Sequence, residues 1–208
     1  VLEKELEIPV FHDDNQGTGM AVLAGLSNAL ALAGKELESA RIVMNGAGAA
    51  GTGIVKVLSA AGAKNIIVLD SQGAIYAERP AHMDLYKEGL AGMTNPRKEK
   101  GTLEEVIVQA DVFIGASQAN VLTPSMIQSM NKKPIIFALA NPVPEIEPNL
   151  ARKAGAFIVA TGSSLYENQV NNSVLFPGFM RGVLDCRASR IIPEMLVAAG
   201  LGAGKMVA

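Results

Sequence analysis

Apolar positions along the chain fall into two kinds of run. The first kind is short, nearly continuous and rich in β-branched residues. It recurs at Arg41–Met44, Asn65–Leu69, Asp111–Gly115, Pro134–Ala140 and Phe157–Ala160. Such runs predict strands covered on both faces, because a half-exposed strand would alternate apolar and polar residues. The second kind repeats at helical spacing. Met20, Val22, Leu23, Leu26, Ala29, Leu30 and Ala33 predict a largely buried helix over Gly17–Gly34, ended by its glycine. Ile54, Val55, Val57 and Leu58 predict another over Thr52–Ala61. Shorter helices are expected around Met83–Leu90, over Leu103–Gln109, from Pro124, and over Leu150–Ala154, Ser173–Cys186 and Ile191–Ala199. Residues 71–100 are more polar and read as a loop around one short helix. Strands that alternate with helices predict an α/β fold, a doubly wound parallel sheet with helices on both faces. No internal repeat or linker divides the chain, so a single domain over residues 1–208 is expected.

Between the first predicted strand and its helix lies Gly46-Ala47-Gly48-Ala49-Ala50-Gly51, and the second strand stops at Asp70. Strand, G-x-G-x-x-G, helix, strand and acid form the dinucleotide-binding pattern of a Rossmann-like sheet. Gly46 permits a tight turn, Gly48 lets the backbone approach a pyrophosphate, and Gly51 lets the helix lie close to the sheet. The first amides of that helix favour negative phosphates. A carboxylate at Asp70 accepts hydrogen bonds from ribose hydroxyls and repels a 2′-phosphate, which favours NAD over NADP. Ser71-Gln72 offers no cation, and Arg79 on the following loop is the nearest candidate to meet a phosphate.

Composition narrows the setting. Hydrophobic residues make up 49% of the chain and charged ones 18%, enough for a sizeable core and against disorder. A net charge of −2 with no basic cluster argues against nucleic acid. No apolar run is long enough to span a bilayer, and Val1-Leu2-Glu3-Lys4-Glu5 is too charged for a signal peptide. The single cysteine, Cys186, cannot form an internal disulfide and reads as helix packing, so a cytoplasmic protein is expected. His12 and His82 lie in separate segments, which argues against a histidine metal site. Gly200–Lys205 looks like a phosphate loop but lacks its first glycine and has Met206 in place of Ser or Thr. A flexible C-terminal turn is expected there.

Ligands of an open parallel sheet bind beyond the carboxyl ends of its strands. Asn141 stands at such an end, ahead of Pro142-Val143-Pro144. Its carboxamide either reaches a ligand or serves as a turn-former before proline. Asn168, Gln169, Asn171 and Asn172 crowd amides ahead of an apolar helix. One of them suffices as a cap, which leaves the others for a polar ligand. Asp13 and Asp14 are adjacent before Gln16-Gly17-Thr18, and neighbouring side chains diverge. Either one ligates a hard cation such as Mg²⁺ or Mn²⁺ while the other orients a catalytic group, or the pair is an acidic helix cap.

Phe11-His12-Asp13-Asp14 with Gln16-Gly17-Thr18 resembles a segment of the malic enzymes. The resemblance extends to Gly46–Gly51, to Ala138–Glu145 around Asn141-Pro142-Val143-Pro144, and to Gln169–Asn172 with Phe176-Pro177-Gly178-Phe179. It is closest to the compact bacterial type. It implies that Asp14 is a metal ligand and that Asp13 supports a catalytic lysine. It also implies that Gly46, Ala47, Gly48, Ala49, Ala50, Gly51 and Asp70 hold the cofactor, while Asn141 and Asn172 reach the nicotinamide and malate. The implied reaction is oxidative decarboxylation of L-malate to pyruvate and CO₂. Hydride leaves C2 for the nicotinamide, and a divalent metal then stabilises the enolate as CO₂ departs. The family's catalytic tyrosine and lysine and its Glu-Asp metal pair have no counterpart here, since Tyr76, Tyr86 and Tyr166 do not correspond. The expectation is therefore the C-terminal, cofactor-binding part of a longer, homo-oligomeric enzyme, which alone binds nucleotide but turns over malate poorly. Two alternatives stay open: the nucleotide domain of another dehydrogenase, of the amino-acid dehydrogenase type, and a non-catalytic nucleotide-binding module.

Overall fold

The structure, a computed structural model, describes residues 2–206. Its centre is one six-stranded sheet in the order β3-β2-β1-β4-β5-β6. The strands are β1 Arg41–Asn45, β2 Asn65–Asp70, β3 Gly73–Ala74, β4 Val112–Gly115, β5 Ile135–Ala138 and β6 Ile158–Thr161. All pair in parallel except β3, which turns back on β2 with Leu69 opposite Ala74 and Asp70 opposite Gly73. The five strands expected from the sequence are these five parallel ones. The β3 return escaped notice because two residues carry no periodicity.

Side chains alternate across each strand, so every strand feeds two cores. Ile42, Met44, Val68, Ile114 and Phe137 face one side, where α2 (Thr18–Ala33), α3 (Ala49–Ala60) and α9 (Pro193–Lys205) pack. Val43, Ile67, Phe113, Ile136 and Val159 face the other, with α5 (Leu103–Val106), α6 (Pro124–Ser129) and α7 (Pro148–Lys153). This is the expected doubly wound arrangement. Two further helices, α4 (Leu85–Met93) and α8 (Phe176–Asp185), add Leu90, Ala91, Phe179 and Val183 to the first core. A single turn at Leu2–Glu5, α1, precedes them all.

Two expectations need correction. The Gly200–Lys205 stretch is the last part of α9, not a flexible turn. Gly200 and Gly204 let α9 lie against α2: a Cβ on Gly200 would come within 3.0 Å of the Met20 carbonyl oxygen, and one on Gly204 within 3.0 Å of that of Ala24. Cys186 is exposed at the end of α8 and packs no core. The loop after β3 holds one short helix, α4, as expected, and it is tied down by Asn95, which is buried and hydrogen-bonded. Its side-chain nitrogen donates to the carbonyls of Ile75 (3.0 Å) and Glu99 (2.8 Å), and its side-chain oxygen accepts from the Glu99 amide (2.8 Å). Among the described residues no helix is long and apolar enough to cross a membrane.

Candidate cofactor site

The chain leaves β1 at Asn45 and turns at Gly46, whose φ of 121° suits glycine alone. Its amide donates to the Leu69 carbonyl (2.9 Å), which fastens the turn to β2. Gly51 packs against the Gly46 carbonyl with no room for a Cβ. At Gly48 the reverse holds: nothing lies within 4 Å of the place a Cβ would take, and no side chain caps the start of α3. The first amides of α3, from Ala49 to Gly51, have no intrahelical acceptor and lie behind this open space. The turn, with small Ala47 beside it, borders a cavity of about 830 Å³ that runs on to Asp70, Gln72, Lys87 and Ser117.

At the far end of that cavity Asp70 is enclosed by cations. Arg79 donates to both carboxylate oxygens (2.9 and 2.6 Å), Lys87 sits 2.8 Å from Oδ2, and the Gln72 amide adds a fourth contact at 2.9 Å. Only 9% of the Asp70 side chain is exposed. Burial alone would raise its pKa, but the hydrogen bonds from Arg79 and Lys87 outweigh it and hold the carboxyl well below the usual carboxylate range. Two cations meet one anion, so this rim carries a net positive charge. Arg79 was expected to meet a phosphate, and it pairs instead with Asp70. Lys87 was not expected here, because nothing in a polar 17-residue excursion marks which cation folds back.

Beyond the neighbouring strands, the Ser117 hydroxyl accepts from the Asn45 side chain (2.7 Å). Asn141 follows β5 through a cis peptide to Pro142, and its carboxamide packs on Gly162 at the end of β6. Glu145, fully buried, accepts from the amides of Ser117 and Ala140 at 3.0 Å each. Burial pushes its carboxyl up, and the two amides offset that only in part.

Asp13 and Asp14 lie in a π-helical turn, Asp13–Gly17, that runs straight into α2. His12 occupies the cap position, where its amide donates to Gln16 Oε1 (2.8 Å), so neither aspartate is the capping residue; both lie in the first turn. Asn172 donates to Asp13 Oδ2 at 2.6 Å, while Asp13 Oδ1 is buried without a partner. Capping of the turn at Asn172–Val174 falls to Asn171, which accepts from the Ser173 amide and leaves Asn172 free for Asp13. Asp14 is exposed. The π-turn is bound to the glycine-turn helix. Asn15 donates to the Ala49 carbonyl (2.8 Å), and its own carbonyl lies over Gly53 where a Cβ would be. Among the described residues no three His, Cys, Asp or Glu side chains gather to hold a metal. The site thus has two parts, the cavity from Gly46 to Asp70 and the Asp13–Asn172 pair, joined through α3.

The chain as a whole is similar to known proteins. The bifunctional malic/malolactic enzyme of Bacillus subtilis is 54% identical over 198 residues, which covers 95% of this chain and 48% of that protein. An NADP-dependent malic enzyme of Halomonas elongata is 47% identical over 201 residues, 95% of this chain and 46% of the other. The crystal structure of an NAD-dependent malic enzyme from Thermotoga maritima matches with a TM-score of 0.91 at 50% identity, covering 96% of this chain and 53% of that one. The chain spans about half the length of the curated relatives it matches. A family model for the malic enzyme NAD-binding domain matches residues 15–208, and the chain belongs to that family.

Proposed function

We propose that the chain is the cofactor-binding part of a malic enzyme that converts L-malate to pyruvate and CO₂. The observation that carries the reading is the open Gly48 position, where unpaired amides of α3 border a cavity that ends at Asp70. A pyrophosphate against those amides gains hydrogen bonds and the helix dipole together. Asp70 then faces the adenosine ribose, and the nicotinamide half extends past Ser117 toward Asn141 and Asn172, across the point where the strand order reverses. Membership in the malic enzyme family argues against the amino-acid dehydrogenase alternative.

Each polar residue has work in that reaction. Asp13 holds Asn172 through one oxygen and keeps the other buried and unpartnered, a position suited to a cationic or donor group from the rest of the enzyme. Such a group is the lysine that moves protons on and off the substrate. Asp14, exposed next to it, supplies one carboxylate to Mg²⁺ or Mn²⁺; substrate, water and residues outside this chain complete the shell. When bound, the metal would supply Lewis acidity and the nicotinamide a hydride acceptor. Asn141 and Asn172 orient the bound groups by their carboxamides. A bare Asp70 would favour NAD, but its charge is already met by Arg79 and Lys87, so a 2′-phosphate encounters no uncompensated carboxylate. NAD and NADP both fit this rim. Calorimetry of the 208-residue chain with each nucleotide tests the reading. Saturable binding of at least one supports it, and no heat with either overturns it.

A further inference from the structure

Glu145 has no part in the reading above, yet it is the most completely enclosed carboxylate in the described residues. No part of it is exposed. Its Oε1 accepts from the amide of Ser117, two residues past β4, and its Oε2 from the amide of Ala140, two residues past β5, each at 3.0 Å. The backbone around it holds the same loop a second and third time. The Leu122 amide donates to the Glu145 carbonyl (3.0 Å) and the Asn120 amide to the Pro144 carbonyl (3.1 Å). Space for the carboxyl exists only because residue 115 is glycine, since a Cβ there would collide with it. A fold needs no buried acid at this point. An ion taken out of water is costly unless it is bonded, and here its two partners are backbone amides of the two loops that end the central strands.

We propose that Glu145 is a positioning residue for the cofactor: one buried carboxylate that fixes the loops after β4 and β5 to each other and so sets the width of the crevice. Ser117 borders the nucleotide cavity, and Ala140 precedes Asn141, so both ends of the bridge bear on the ligand. The inference rests on the cofactor reading proposed above. Glu145→Gln keeps the shape but offers one acceptor and turns an NH₂ toward the second amide. Loss of that bond loosens the two loops, and when its strength is felt at the crevice NAD binds about tenfold more weakly.

Calorimetry with NAD on the 208-residue chain, at a temperature where each variant is folded by circular dichroism, compares the wild type with E145Q and E147Q. Glu147 also accepts two backbone amides, those of Asn149 and Leu150, but only to cap α7. The expected result is about tenfold weaker binding in E145Q and unchanged binding in E147Q. Unchanged binding in E145Q, or equal losses in both, overturns the proposal. Should E145Q fail to fold, hydrogen exchange in the wild type decides. NAD must slow the Ser117 and Ala140 amides together, and independent responses refute the bridge. A wild-type chain that binds no NAD fails before any variant is compared, which sinks the functional reading itself.

Discussion

Gly48 leaves space that the fold itself does not use. Unlike Gly51, it has empty space where a Cβ would go, and it sits at the cap of a helix with no side-chain cap. Asp at that position fits sterically and accepts from the first-turn amides, which stabilises the helix by a few tenths of a kcal/mol relative to glycine. The same carboxylate occupies the phosphate position. Gly48→Asp is therefore expected to raise the melting temperature while NAD binding falls at least about a hundredfold, since repulsion replaces an anion-binding contact. A loss of both together would mean that the turn is structural only. Asp70 makes the second prediction. Its folded pKa lies below the unfolded value of about 4, so its ion pairs stabilise the protein fully above that pH and lose their contribution as pH falls through the folded value. Urea midpoints at pH 7 and pH 3 should therefore show an acid loss that is smaller in Lys87→Met, which removes one of the two cations. At this scale the sequence was readable where function uses a local motif. Gly46 to Gly51 and Asp70 stand in fixed spacing, whereas the bond between Asp13 and Asn172 joins residues 159 apart and no spacing predicts it.

Between elements, glycines inside helices separate packing from propensity. Gly53 in α3 and Gly202 in α9 both occupy helix interiors, where alanine is preferred by about 1 kcal/mol. Gly202 has nothing within 4 Å, so Gly202→Ala should stabilise the chain by roughly 0.5–1 kcal/mol in urea titration. Gly53 has the Asn15 carbonyl in the space a methyl would need, and that backbone belongs to the turn bearing Asp13 and Asp14. Gly53→Ala should cost about 1–3 kcal/mol and displace the turn, read as a changed Asn172 side-chain amide signal by NMR. Opposite signs from the same substitution would locate the contact between the cofactor helix and the aspartate turn. Elements were legible in proportion to their apolar content. All five parallel strands are buried on both faces and announce themselves. The π-turn, the β3 return and the buried Asn95 anchor are held by backbone geometry or distant partners, which leave no pattern along the chain.

For the molecule as a whole, the sheet is shared between two cores that never merge. Phe113 lies in one and Phe137 in the other, both fully buried, on the adjacent strands β4 and β5. If each face were stabilised separately, the two cores would unfold in separate steps. Because residues on the same strand alternate between faces, melting one core strips the strand backbone from the other. Phe113→Ala and Phe137→Ala should each destabilise by about 3–5 kcal/mol and shift one common transition, seen alike by far-ultraviolet circular dichroism and by near-ultraviolet tyrosine signals. The nucleotide cavity belongs to neither core but to the edge where both end, at Gly46, Asp70 and Ser117. A ligand there binds only when both faces are formed. NAD at about a hundred times its Kd should thus raise the stability of each Phe variant by the same amount, about 2.7 kcal/mol. An unequal gain, or a second transition that NAD leaves untouched, would show that the crevice is carried by one core alone.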